Sequence, residues 1–167
     1  LCGRLRGKLA ARRFDRKHPG EKPSVTALTY SHKYTLWSMP QISGKTYDLA
    51  ISFLTPHYFA RERVMARKYA AWIHTDYTAL SFDRTAELVM WEGYDVICGV
   101  SEQASKSFQT AFPELEGKVQ TVENILPKEL ICKQAEESQN DMPSKGSLAL
   151  LSVGRFCDCL LYTSDAA

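Results

Sequence analysis

Four short apolar runs, each followed by a segment of helix length or by polar residues, constrain this chain more than any other feature. The runs are Tyr47 to Leu54, Ala70 to His74, Tyr94 to Val100 and Lys118 to Val122, and their length and β-branched or aromatic content are those of buried strands. Between them, Tyr58 to Lys68 reads as a helix that places Phe59, Val64, Met65 and Tyr69 on one buried side. Asp83 is an N-cap for a helix through Trp91, with Gly93 where a left-handed C-terminal cap would fall. Ser101 caps a further helix that buries Ala104, Phe108 and Ala111 and ends before Pro113. Strands separated by helices of about ten residues are joined by right-handed crossovers and lie parallel. The expected fold is therefore α/β, a Rossmann-like parallel sheet flanked by helices over residues 46–126.

The flanks differ in character. Residues 1–45 read as a basic helix, interrupted by Pro19, Gly20 and Pro23, and an irregular lead-in punctuated by Pro40 and Gly44. Residues 127–147 turn to Lys, Glu, Gln, Asn, Ser and Pro, as a helix fraying into a linker does. Residues 148–158 restart with a long apolar strand, the expected opening of a second domain that is cut short. Residues 159–167 resemble the translation of a transposon adapter used in sequencing libraries, so the Cys157 and Cys159 pair would have no chemical meaning. Beginning at Leu1, the chain reads as a fragment.

With 44% apolar and 24% charged residues, the 167-residue chain has the composition of an ordinary globular domain. A net charge of +2 is too small to imply nucleic acid, and Trp37, Trp72 and Trp91 are too far apart to suggest a base-stacking platform. The positive charge is nevertheless concentrated between Arg4 and Lys17, a segment suited to a solvated helix face, to phosphates or to acidic headgroups. Five cysteines without zinc-type spacing fit a reducing, cytoplasmic setting, and no apolar run is long enough to span a bilayer. The expectation is a soluble protein with at most peripheral contact with a membrane surface.

Candidate chemistry follows from strand polarity. In open α/β sheets ligands gather beyond the carboxyl ends of the strands. His74, Thr75, Asp76, Ser101, Glu102 and Asn124 all lie just past such ends, whereas Asp48 and Asp95 begin strands and read as caps or surface turns. His74 is suited to handling hydroxyls or phosphates near neutral pH. Ser101 and Glu102 equally suit a helix cap and a helix dipole, and Asn124 a local turn. Glycine-rich dinucleotide loops, Walker loops, nucleophile elbows and His-Glu-x-x-His zinc motifs are absent from the sequence.

Tyr47-Asp48-Leu49-Ala50-Ile51, Trp72-Ile73-His74-Thr75-Asp76-Tyr77, Val100-Ser101-Glu102, Glu123-Asn124-Ile125 and Ser152-Val153-Gly154-Arg155-Phe156 together resemble the family-four retaining glycosyltransferases of the two-Rossmann GT-B fold, especially bacterial surface-polysaccharide enzymes. The resemblance implies an acceptor-side N-terminal domain, a nucleotide-sugar donor and a glycan or lipid-linked acceptor, with neither metal nor other cofactor. It casts His74 as the histidine near the reacting sugar and Arg155 as a donor-diphosphate ligand. Thr75, Asp76, Ser101, Glu102 and Asn124 fall to substrate binding. The donor half would lie beyond Arg155, so the fragment is expected to be inactive alone. A non-catalytic nucleotide-binding Rossmann module is the other function compatible with the residues.

Overall fold

The computed structural model describes residues 2–20, 22–42, 44–54 and 57–137 and divides the chain into two units, Leu1–Ile125 and Leu126–Ala167. The first unit runs α1 (Cys2–Lys17), α2 (Thr26–Thr35), β1 (Tyr47–Ser52), α3 (His57–Arg63), β2 (Ala66–Ile73), α4 (Arg84–Glu92), β3 (Val96–Gly99), α5 (Glu102–Ala111) and β4 (Val119–Thr121), with 3-10 turns at 36–38, 77–79 and 113–118. In the second unit the described residues form one helix, α6 (Lys128–Glu137), with its Lys133 and Glu137 side chains 3.8 Å apart. The expected strand at 148–158, the tail at 159–167, Arg155 and both cysteines of the Cys157-x-Cys159 pair lie outside the described residues.

The sheet is four-stranded, entirely parallel and ordered β1-β2-β3-β4, which makes the unit the Rossmann-like α/β fold expected from the alternation. Ile51 pairs with Ala70, Ile73 with Gly99, and Gly99 with Thr121. Because the order never reverses, successive right-handed crossovers place α3, α4 and α5 on the same face of the sheet. Ala71, Ile73 and Ile97 point into that face and join Met90, Trp91, Phe108, Phe112 and Leu115 in the core. Gly99 belongs there for lack of space: a Cβ would sit 2.3 Å from the Ser105 hydroxyl and 2.8 Å from the Ser105 amide.

Several local expectations are corrected. The lead-in at 24–45 is not wholly irregular, since α2 occupies its middle. Its threonines and aromatics carry little helical preference, and α1 supplies what propensity does not. Gly3, Gly7 and Ala11 line the buried side of α1, close enough to α2 that a Cβ on Gly7 would fall 2.8 Å from the Ser31 Cα. The helix expected at 58–68 ends at Arg63, because Ala66 to Tyr69 instead extend β2 alongside Tyr47 to Ala50. Gly93 is right-handed, with φ −72° and ψ −9°. Its small size accommodates the Arg61 side chain, whose Nε would meet a Cβ at 2.8 Å.

The capping expectations hold. Asp83 accepts from the Ala86 amide at 3.0 Å and Ser101 from the Ala104 amide at 3.1 Å, each satisfying one of the amides a helix start leaves unpaired. Asp48 and Asp95 sit at the amino edge, as their positions implied. Asp48 faces Arg67 at 3.3 Å, while Asp95 accepts from the Tyr69 amide at 2.8 Å and from Lys68 at 2.9 Å.

Candidate functional site

The sheet registers bring the predicted rim residues to one edge. Val100 donates its amide to the Ile73 carbonyl at 3.2 Å and Val122 to that of Gly99 at 2.9 Å, so the segments after β2, β3 and β4 leave the sheet side by side. Neighbouring parallel strands lie about 4.8 Å apart, so this rim is about 10 Å wide from β2 to β4.

His74 and Thr75 open onto a cavity of about 250 Å³ whose wall also includes Leu28, Thr29, His32, His57, Trp72 and Glu87. The wall is mainly apolar, with three imidazoles set into it. His74 Nε2 lies 3.0 Å from the Phe53 carbonyl oxygen, and the two rings meet edge to face at 4.7 Å. A carbonyl only accepts, so this contact fixes the proton on Nε2 and leaves Nδ1 as the imidazole's other polar position.

His57 Nδ1 sits 2.8 Å from the Ser52 hydroxyl, and its ring lies 4.7 Å from that of Trp91. Burial, reinforced by His74 and His32, pushes its pKa down to about 4. Burial also lowers that of His32.

In the cavity wall, the buried Glu87 carboxylate is held from three directions. Thr29 donates to Oε1 at 2.7 Å, and the Trp91 indole and Tyr77 phenol donate to Oε2 at 3.1 and 3.2 Å. Burial raises the Glu87 pKa, and these three donors oppose the rise. Tyr30 donates to Asp83, so α2 is tied to α4 at two points beside the cavity.

The remaining predicted residues are differently placed. Asp76 accepts from the Thr78 amide and hydroxyl at 2.8 and 2.6 Å and from Gln103 at 3.4 Å. The Thr78 hydroxyl leads in holding its carboxyl below the usual carboxylate range. Ser101 is engaged as the α5 cap, and Glu102 faces Lys106 at 3.3 Å on an exposed helix face. Asp76 and Glu102 border a shallow depression separate from the cavity of His74. Asn124 lies exposed beyond β4, its side chain without a partner among the described residues. Among the described residues, no three His, Cys, Asp or Glu side chains are grouped to hold a metal ion.

The rule about strand ends finds His74 but misses His32, His57, Thr29 and Glu87. The polar, threonine-rich sequence of α2 carries no periodic signal strong enough to place Thr29 opposite Glu87. In comparisons with protein-family models, curated proteins and solved structures, nothing matches the chain.

Proposed function

We propose that this polypeptide is the acceptor-side part of a retaining, nucleotide-sugar-dependent glycosyltransferase of GT-B type, acting in the synthesis of a bacterial surface polysaccharide on the cytoplasmic side. The observation that carries the reading is His74: an imidazole at the carboxyl end of a central strand, oriented by the Phe53 carbonyl at the mouth of a small, largely apolar cavity. A sugar ring offers hydroxyls to such a group and apolar C–H faces to such a wall. His74 would hold a donor hydroxyl or meet positive charge developing at the reacting carbon, and Thr75 would add a hydroxyl contact. Arg155 would hold the donor diphosphate through charge-assisted bonds.

The alternative of a nucleotide-binding module receives less support, because Asp76 and Ser101 already satisfy local backbone and side-chain donors. A titration distinguishes the two. A short-chain alkyl glucoside is expected to shift the nuclear magnetic resonance signals of His74, Thr75 and Trp72, and His74→Ala to weaken that binding about tenfold, the worth of one buried hydrogen bond. Shifts confined to the start of α5 on adding a nucleoside diphosphate, with none at His74 on adding the glucoside, would favour the module. Residues 1–167 are expected not to transfer sugar by themselves, and transfer by that polypeptide would overturn the assignment of the donor site beyond it.

A further inference from the structure

The outward side of α1 has no role in the cavity. Gly3, Gly7 and Ala11 are turned to α2, so the opposite side of the helix is turned to solvent. Cys2, Leu5 and Leu9 fall at i, i+3 and i+7 and form one stripe there, with Leu5 62% and Leu9 57% exposed. Seven exposed cations between Arg4 and Lys17 flank and continue that stripe. The helix has a single carboxylate, Asp15, which accepts from the Ser24 and Thr26 hydroxyls, both at 2.8 Å. None of the seven cations has an ion-pair partner among the described residues.

We propose that this face of α1 docks on an anionic lipid bilayer, with Leu5 and Leu9 in the headgroup–acyl boundary and the surrounding cations on lipid phosphates. Charge complementarity and the leucine stripe together select that partner. A protein interface is depleted of charge at its centre, and nucleic acid would use the cations but leave the leucines wet. A bilayer surface uses both.

No described helix is long and apolar enough to cross a membrane, so α1 lies in the plane, where its 16 residues extend about 24 Å. The seam with α2 gives this helix a property that free amphipathic peptides lack: it is already folded and its polar and apolar sides are already sorted. Docking therefore bears none of the ordering cost that such peptides meet at the surface. The inference is independent of the sugar-transfer reading and stands or falls separately.

The test is sedimentation of the intact chain with vesicles of equimolar phosphatidylcholine and phosphatidylglycerol, against vesicles of phosphatidylcholine alone and a short DNA duplex. Binding is expected to the anionic vesicles, much less to the neutral ones, and to fall as salt is raised. Arg12→Gln, Arg13→Gln and Arg16→Gln together should weaken it roughly a hundredfold. Leu5→Ala with Leu9→Ala should weaken it by about tenfold or more while leaving any DNA binding unchanged. Both variants keep the parent circular dichroism, since the altered side chains lie in solvent. The proposal is overturned by absence of binding to anionic vesicles, or by a leucine variant that binds them as tightly as the parent, which would mean simple polyelectrolyte attraction.

Discussion

His57 and Glu87, both buried against the same indole, respond to acid in opposite directions. The folded pKa of His57 is depressed to about 4 from an ordinary 6.5, so between those values the unfolded chain holds a proton that the folded one refuses. Its effect on stability is fully favourable above pH 6.5 and is lost as the pH falls towards 4, by roughly 3 kcal/mol for a shift of that size. His57→Asn, which keeps a polar group near Ser52 but does not titrate, should flatten this part of a stability profile measured by urea unfolding. A profile as steep as the parent's would assign the loss to another group.

Glu87 works the other way. Its raised pKa means that the folded state takes up the proton more readily, so its contribution is greatest in acid and declines as the pH rises through the folded value. Glu87→Ala strands three donors from Thr29, Tyr77 and Trp91 and should cost about 1–3 kcal/mol. Glu87→Gln, which keeps an acceptor, should cost less; equal losses would mean that the carboxylate's charge, not its acceptor role, matters there. Neither residue was legible beforehand. His74 was visible because a strand ends at it, whereas His57 depends on Ser52, and Glu87 on Thr29, 58 residues away in the chain.

At the scale of elements, α1 and α2 show where sequence reading stops. The β-α alternation from Tyr47 to Thr121 was legible because apolar runs and polar helix starts recur locally, and Asp83 and Ser101 cap where their types imply. The α1–α2 contact had no such local mark: Gly3, Gly7 and Ala11 become a seam only once a second helix lies against them. The strand β2 was read too short for a related reason. Arg67 and Lys68 look like helix surface until their pairing with β1 is known.

The seam predicts a specific asymmetry among glycines. Gly7→Ala places a Cβ 2.8 Å from Ser31 Cα and 2.9 Å from its amide, backbone atoms that move only if the helices part. Such overpacking should destabilise by about 1–3 kcal/mol, despite alanine's better helix propensity. At Gly20 nothing lies within 4 Å of the added Cβ, so Gly20→Ala should change stability by less than about 0.5 kcal/mol. Thermal unfolding of the two variants gives the comparison. A stabilised Gly7→Ala would show that propensity outweighs the close approach and that the seam is looser than 2.8 Å implies.

Over the whole of the first unit, the dominant fact is that the helices of the alternation share one face of the parallel sheet, and that among the described residues the other face is open at β1. All-parallel sheets are ordinarily buried on both faces, and the near-continuous apolar sequence of β1 belongs to that pattern. Yet the monotonic strand order puts α3, α4 and α5 together over Ala71, Ile73 and Ile97, while Leu49, Ile51 and Phe53 on the other face remain 51–53% exposed. In β1 the larger apolar side chains are on the open face and the smaller Ala50 and Ser52 on the covered one. β1 is also the outermost strand of the described sheet. An apolar face on an outer strand favours self-association. Leu49→Lys with Ile51→Lys should therefore lower the binding of a hydrophobic dye and narrow the size distribution in light scattering, with thermal stability nearly unchanged. Ala50→Lys, one residue away but only 7% exposed, should instead lose several kcal/mol because it puts an unpaired charge into the helix-covered face. Equal destabilisation by the two changes would mean that the face bearing Leu49 and Ile51 is as closed as the other, and that strand order alone does not decide which side of this sheet is buried.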